Sequence, residues 1–278
     1  MPPENNRTRV PLIGIFDSGL GGLTVARRVR GLAPNVDMLY FADQRHVPYG
    51  DRDAADLRRL LTANVAYLVD EGADAIVMGC NTSCAIAARH GWPASPVPIM
   101  DLIAVAAEHV ARIGARNVGV IATAATARSG AYAAAITARS PGTFVREVAA
   151  PALVPLVEAG IVAGPVARAA VAAVCRAFTE PLDAVVLACT HYPLLDAEFA
   201  AVLGDGVERI DPAVAQADHA VAWLRETFGV VSSRAGRTRY VTSGSLDAFG
   251  AGLAAVVGPL GSGDSLGRRD AAFAEALK

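Results

Sequence analysis

The 278-residue sequence is nearly devoid of lysine. Of its 25 basic residues 24 are arginine, and the one lysine, Lys278, is the last residue. Pyridoxal phosphate and Schiff-base chemistry need an internal lysine amine, so a cofactor imine is excluded. A Walker-type phosphate loop needs its lysine as well and falls with it. A GC-rich codon bias toward Arg and Ala accounts for the imbalance, and the chemical exclusion holds whatever the cause.

Other absences narrow the field further. Hydrophobic residues make up 53% of the chain, yet no run reaches the roughly 18 apolar residues that a spanning helix needs. No membrane partner is therefore expected. Met1 to Arg9 is polar and lacks an apolar signal core, so no secretory leader is expected. The net charge is −2 and the arginines are scattered, which gives no basic field for nucleic acid. The four cysteines, Cys80, Cys84, Cys175 and Cys189, form no C-x-x-C pair. That is a poor zinc pattern, so no metal is expected, and the thiols point to a reduced, cytoplasmic setting. The length suits one large domain or two small ones, with ample core.

What is present is an alternation of strands and helices. Pro11 to Phe16, Asp37 to Phe41 and Asp74 to Gly79 read as strands. Leu23 to Leu32, Asp53 to Glu71 and Asn81 to Arg89 carry helical spacing, and Asp43 to Asp51 is a loop broken by Pro48 and Gly50. The pattern then recurs. Asn117 to Ala122, Phe144 to Val148 and Asp183 to Ala188 are strands; Thr123 to Ser129 is a polar loop before a helix through Tyr132 and Ile136, and Val162 to Phe178 is an amphipathic helix. The strand before Cys189 resembles the strand before Cys80, 109 residues earlier, and VGVI at Val118 follows IGIF at Ile13 by 105. Two offsets this close indicate a duplicated α/β unit. Unbroken apolar strands imply parallel sheets covered on both faces, with ligands beyond the strands' carboxyl ends.

Cys80 and Cys189 both stand at such ends. Each precedes good capping residues, so each thiol meets a helix N-terminus, which favours thiolate. The dipole is worth about 0.3–2 kcal/mol, at most about 1.5 pKa units, so each thiol needs further help. His191 is the natural helper for Cys189. Asp17, ending the first strand, is either a partner for Cys80 or a cap of the turn after it. Two thiols in equivalent positions suit inversion of a stereocentre, one removing a proton from one face while the other donates to the opposite face. Ser18, Asn81, Thr82, Thr123, Thr126 and Thr190 offer neutral donors for carboxylates. The Gly19–Gly22 loop could bind an anion through backbone N–H groups, but Thr24 spoils a G-x-G-x-x-G match. Cys84 and Cys175 read as packed core, His46 as plain surface or else a loop residue at the cleft, and His90, His109 and His219 as ordinary helix residues.

FDSGLGGLTV (Phe16 to Val25), VPYG (Val47 to Gly50), CNTS (Cys80 to Ser83), TAAT (Thr123 to Thr126), PLVEAG (Pro155 to Gly160), ACTHYPLL (Ala188 to Leu195) and RYVTSG (Arg239 to Gly244) together resemble the glutamate racemases. The resemblance implies an α/β fold of two pseudo-symmetric Rossmann-like domains with mostly parallel sheets and an active-site cleft between them. It places the first domain at residues 1–100, completed by 212–278, and the second at 101–211. It implies racemisation of L-glutamate to D-glutamate without a cofactor, supplying peptidoglycan, with Cys80 and Cys189 as the acid/bases and Asp17, His191 and Glu158 assisting. Asp17, Ser18, Pro48, Tyr49, Gly50, Asn81, Thr82, Thr123, Thr126, Thr190 and His191 would then hold the substrate, and a homodimer is implied. A relative acting on aspartate or another related acid, and a silent dicarboxylate-binding protein, are the alternatives. The chain departs from the family at Ala42 and Gln44, where Gly and Thr are common, at Gly79, where Ala is common, and at Ser83-Cys84, where Ala-Ser is common. The segment from Gly261 to Lys278 matches nothing in the family pattern.

Overall fold

Two parallel sheets organise the chain. The computed structural model describes residues 10–229 and 234–269; the polar start, residues 1–9, and the end with Lys278 lie outside the described residues. In chain order the elements are β1 (Leu12–Asp17), α1 (Leu23–Leu32), β2 (Asp37–Ala42), two 3-10 turns (Gln44–His46 and Tyr49–Asp51), α2 (Ala54–Asp70), β3 (Ala75–Met78), α3 (Asn81–His90) and β4 (Ile99–Met100). Then follow α4 (Leu102–Ile113), β5 (Asn117–Ala122), α5 (Ala124–Ser129), α6 (Ala131–Arg139), β6 (Phe144–Ala149), α7 (Leu153–Glu158), α8 (Pro165–Cys175), β7 (Ala184–Ala188), a 3-10 turn (Tyr192–Leu195), α9 (Asp196–Leu203) and β8 (Glu208–Ile210). The chain finishes with α10 (Pro212–Phe228), β9 (Thr238–Thr242), α11 (Leu246–Val257) and β10 (Ser265–Arg268).

The strand order is β10-β9-β2-β1-β3-β4 in one sheet and β6-β5-β7-β8 in the other. The second order repeats the last four of the first, so β1, β2, β3 and β4 correspond to β5, β6, β7 and β8. Register agrees: Ile13 pairs with Ala75, and Val118 pairs with Ala184. The duplication expected from the sequence offsets is therefore present in the topology. The central strands are apolar because helices cover both faces; β3 and β7 are buried throughout. One apolar cluster joins Phe16, Ile76 and Met78 of the first sheet to Val118, Val120 and Val186 of the second. The two units thus share an interior and do not merely touch. No helix among the described residues is long and apolar enough to cross a membrane.

Three sequence expectations need correction. Thr123–Ser129 is not a loop: Thr123 Oγ1 accepts from Thr126 N at 3.3 Å and caps the short helix α5. The helix expected over Val162–Phe178 is shorter, because Gly164 sits at φ +92° and Pro165 then starts α8. Cys189 leads into a 3-10 turn before α9 rather than directly into an α-helix. The segment after Gly261, on which the sequence carried no structural expectation, adds a strand: β10 pairs parallel to β9, and Arg269 N continues the ladder to Thr242 O at 2.9 Å.

Gln216 on α10 fastens the sheet at the cleft end. It is fully buried, and its Nε2 donates to Met78 O at 3.0 Å and Met100 O at 2.7 Å, the last residues of β3 and β4. Gln216→Ala leaves two buried carbonyls without that donor, so it is expected to lower stability by about 2 kcal/mol or more, read by urea unfolding. A change below about 0.5 kcal/mol would mean the carbonyls find other donors.

Candidate active site

The first wall is built at the carboxyl ends of β1 and β3. Asp17, the last residue of β1, is 1% exposed. Its Oδ1 accepts from Gly19 N at 2.8 Å, and its Oδ2 has no partner among the described residues. Burial raises its pKa above the ordinary carboxylate value, against the pull of Gly19 N–H and of the His191 charge. Of the two alternatives read from the sequence, the cap of the turn is seen: Asp17 caps it with one oxygen and leaves the other uncommitted. The turn passes so close that a Cβ on Gly22 would lie 2.6 Å from the Asp17 Cβ. Gly79 serves a similar approach, since a Cβ there would meet Phe16 O at 3.1 Å and the Gly22 Cα at 3.2 Å. Cys80 follows as the N-cap residue of α3. Burial, and then the nearby Asp17 charge, push its thiol up to about 11.

The loop after β2 is held by Asp43. Its carboxylate accepts from Tyr49 Oη at 2.5 Å and Ser243 Oγ at 2.7 Å, and it pairs with His46 Nδ1 at 2.8 Å. Burial works against this charge, but these hydrogen bonds outweigh it and hold the carboxyl below its usual range. His46 is thus not plain surface. It anchors the loop that turns Pro48, Tyr49 and Gly50 toward the cavity, through a cis Val47–Pro48 peptide.

The second wall comes from β5 and β7. Cys189 follows β7, and its Sγ lies 3.8 Å from His191 Nδ1. On the far side His191 Nε2 bonds Glu158 Oε1 of α7 at 2.6 Å. Burial disfavours the imidazolium, but the bonds to Cys189 and Glu158 outweigh it and raise His191 to about 10. The same bond holds Glu158 below its ordinary value, although its side chain is 56% exposed at the mouth. Between the walls, the hydroxyls of Thr82, Thr123 and Thr126 form a triangle: Thr82 to Thr123 3.0 Å, Thr123 to Thr126 2.9 Å, Thr82 to Thr126 3.3 Å.

These walls enclose a cavity of about 380 Å³ lined by both thiols. Every site residue expected from the sequence lines it except Thr126, which is fully buried one layer behind Thr82 and Thr123. Cys84 is buried and bonds Asp101, and Cys175 packs in an apolar cluster with Leu153, Val171 and Phe199. The sequence reading passed over Leu20, Pro151 and Val154, apolar wall residues without a chemical signature. It also passed over Tyr132 as a site residue. The Tyr132 hydroxyl donates to Asn81 Oδ1 from the opposite unit, which leaves the Asn81 amide nitrogen for the cavity. A groove of about 530 Å³ between α4, β8 and α10 holds His109, bonded to Glu208 at 2.8 Å, but neither thiol.

Two sheets whose carboxyl ends face one cavity with a thiol from each define a two-domain α/β cleft enzyme. Comparison with known proteins gives the particular kind. The Asp/Glu/Hydantoin racemase family matches residues 23–220. The glutamate racemase of Desulforudis audaxviator is 40% identical over 250 residues, covering 85% of this chain and 90% of that protein. The solved glutamate racemase of Francisella tularensis, in complex with D-glutamate, superposes with a TM-score of 0.84 at 27% identity, covering 96% and 98% of the two chains. That of Thermus thermophilus, in complex with beta-chloro-D-alanine, gives 0.81 at 34% identity, covering 95% and 98%. The chain belongs to the Asp/Glu/Hydantoin racemase family, and within it is an isomerase of the glutamate racemase group.

The walls meet where side chains are missing. A Cβ on Gly21 would fall 1.9 Å from Thr190 Oγ1, and one on Gly50 would fall 3.0 Å from the Thr123 Cβ. Gly21→Ala is therefore expected to hold the cleft open. Displacement of a reacting group by about 1 Å costs on the order of 100-fold in rate. Turnover should fall by that order while circular dichroism stays native and small-angle scattering shows a larger radius of gyration. Full activity in Gly21→Ala would show that the closure has slack.

Proposed function

We propose that the protein interconverts L- and D-glutamate by direct proton exchange at Cα between two thiols. The observation that carries this reading is the placement of Cys80 and Cys189 at equivalent strand ends of two duplicated sheets, in one cavity. In the L-to-D direction the Cα–H bond breaks and the proton passes to Cys189 Sγ. Cys80 returns a proton to the opposite face of the carbanion. Turnover leaves Cys189 protonated and Cys80 as thiolate, the form needed for the reverse direction.

The surroundings support this division of labour. A charged imidazole against a sulfur suits one that has given up its proton, and a buried sulfur beside a carboxylate suits one that keeps it. Glu158 maintains the His191 charge. Asp17 has an unpartnered oxygen for the substrate ammonium. Ser18, Tyr49, Gly50, Asn81, Thr82, Thr123, Thr190 and His191 then hold the two carboxylates, with Pro48 shaping the loop and Thr126 fixing Thr82 and Thr123 from behind. No arginine is among the described residues lining the cavity. Neutral donors and one imidazolium therefore bind the anion without a fixed guanidinium. The role we propose for the product is peptidoglycan supply in the cytoplasm, by a homodimer. The two domains comprise residues 1–100 with 212–278, and 101–211.

Loss of ellipticity from L-glutamate, with purified protein and no added cofactor, tests the activity. Cys80→Ala and Cys189→Ala are each expected to abolish it, and full activity in either would overturn the two-thiol reading. Turnover of L-aspartate in place of L-glutamate would overturn the substrate.

The pH dependence has a definite sign. The His191 pKa is raised from 6.5 to about 10, so its charge persists through neutrality and is lost as pH rises through about 10. The alkaline limb of the L-to-D rate is expected there. Glu158→Gln removes a hydrogen bond that raises this pKa, so it should move the limb to lower pH. A limb that stays in place would free Glu158 of this role.

A further inference from the structure

One buried hydroxyl behind the first thiol has no partner. Ser83 is 1% exposed, and its Oγ makes no hydrogen bond among the described residues. Buried polar groups are rarely left this way, because desolvation is then uncompensated. The position of Ser83 supplies the reason. α3 begins at Asn81 with Cys80 as its N-cap, so Ser83 is the third helical residue. That residue is the one that reaches back to the N-cap in a capping box, and its N–H is the one an N-cap side chain ordinarily accepts. Here the N-cap side chain is a neutral thiol, a weak acceptor, and it makes no cap hydrogen bond.

A thiolate on Cys80 would be a full anion facing both donors. The other titratable groups that face it do not help. Asp17, Tyr40, Tyr49 and Cys84 all interact with Cys80 as acids, and His191 faces Asp17 from across the cavity. Cys189 has an ion pair behind it, whereas an anionic Cys80 would draw on neutral donors: Ser83 through its hydroxyl and its N–H, and Ser18 through its hydroxyl. Ser83 is also one of the positions at which this chain departs from the glutamate racemase pattern, so the family resemblance assigns it no role.

We propose that the Ser83 hydroxyl, unpartnered beside the resting thiol, turns to donate to Cys80 Sγ as negative charge develops there, and so stabilises the anionic form of the first acid/base. This is the counterpart, without a charge, of what His191 and Glu158 do for Cys189. The inference rests on the two-thiol reading for its catalytic consequence, but not for the hydrogen bond itself. In the D-to-L direction the Cys80 thiolate takes the Cα proton of D-glutamate and Ser83 loses its acceptor. In the L-to-D direction the Cys80 thiol gives its proton to the carbanion and Ser83 gains one.

Ser83→Ala tests this with little risk to folding, since it only removes an oxygen that has no partner. The probe is iodoacetamide, with Cys80 and Cys189 alkylation followed separately by peptide mass spectrometry. Near pH 9, below the Cys80 midpoint of about 11, its alkylation rate follows the thiolate fraction. A lost hydrogen bond to an anion should lower that rate about tenfold, equivalent to about one pH unit, and leave Cys189 unchanged. Because the equilibrium constant of a racemisation is one, kcat/KM for L- and D-glutamate must fall by the same factor, also about tenfold. Ser83→Thr, which keeps the hydroxyl, should restore the alkylation rate. An unchanged Cys80 rate in Ser83→Ala, or equal slowing of both thiols, overturns the proposal. If the wild-type protein racemises neither enantiomer, the two-thiol reading fails, and the alkylation comparison still decides the Ser83 hydrogen bond.

Discussion

The structure depends on one steric constraint: the carboxyl ends of two duplicated sheets must come close enough to share a cavity of about 380 Å³. Strand ends carry side chains, and side chains keep backbones apart. The chain meets the constraint with glycine at the contacts, Gly21 beneath Thr190 and Gly50 beside Thr123, and with Gly22 and Gly79 drawing the β1 turn against the end of β3. The continuous apolar cluster between the sheets favours that approach. Buried polar bonds, Tyr132 to Asn81 and the threonine triangle, fix its orientation. Hydrophobic burial is non-directional and cannot choose a register alone; the polar pairs across the junction can.

The duplication makes the two thiols equivalent in fold but not in electrostatics. Each stands where a parallel strand hands over to a helical turn. Yet Cys80 lies beside a buried carboxyl, and Cys189 lies beside an imidazole that Glu158 keeps charged. The exchange proposed for these thiols needs one donor and one acceptor at the same moment, and a strictly symmetric site would supply neither reliably. The asymmetry resides in a few residues placed around a symmetric frame. They sit at the ends of elements: Asp17 ends β1, Glu158 ends α7, and His191 lies in the turn after β7.

Much of this was legible in the chain. The near-equal offsets of 105 and 109 residues anticipated the repeated strand order, because strand-to-strand spacing in an α/β unit is set by one helix and two short loops. The strand-to-Cys motifs located the cleft. Less legible were features decided by a single local contact. Thr123 converts an apparent loop into a helix start, and Gly164 shortens α8. β10 was invisible because Ser265–Arg268 has only one large apolar residue, Leu266; its strand character comes from pairing with β9 and from Arg269 lying 4.2 Å over Tyr67 and 5.0 Å over Phe41. His46 looked like surface because nothing local shows that Asp43, three residues earlier, is buried and needs a partner.

The sequence by itself determined the chemistry available. It holds no internal lysine, two thiols at repeated strand ends, and neutral donors beside them. Those are properties of residue types and of spacing, and folding cannot alter them. Only the tertiary structure decided which charges act on which thiol, since Glu158 reaches Cys189 through a histidine 33 positions away in the chain. It also decided which oxygens are left unpartnered and how near the walls stand. Those are through-space quantities, set by burial and by distances of a few ångströms between residues that the sequence keeps far apart.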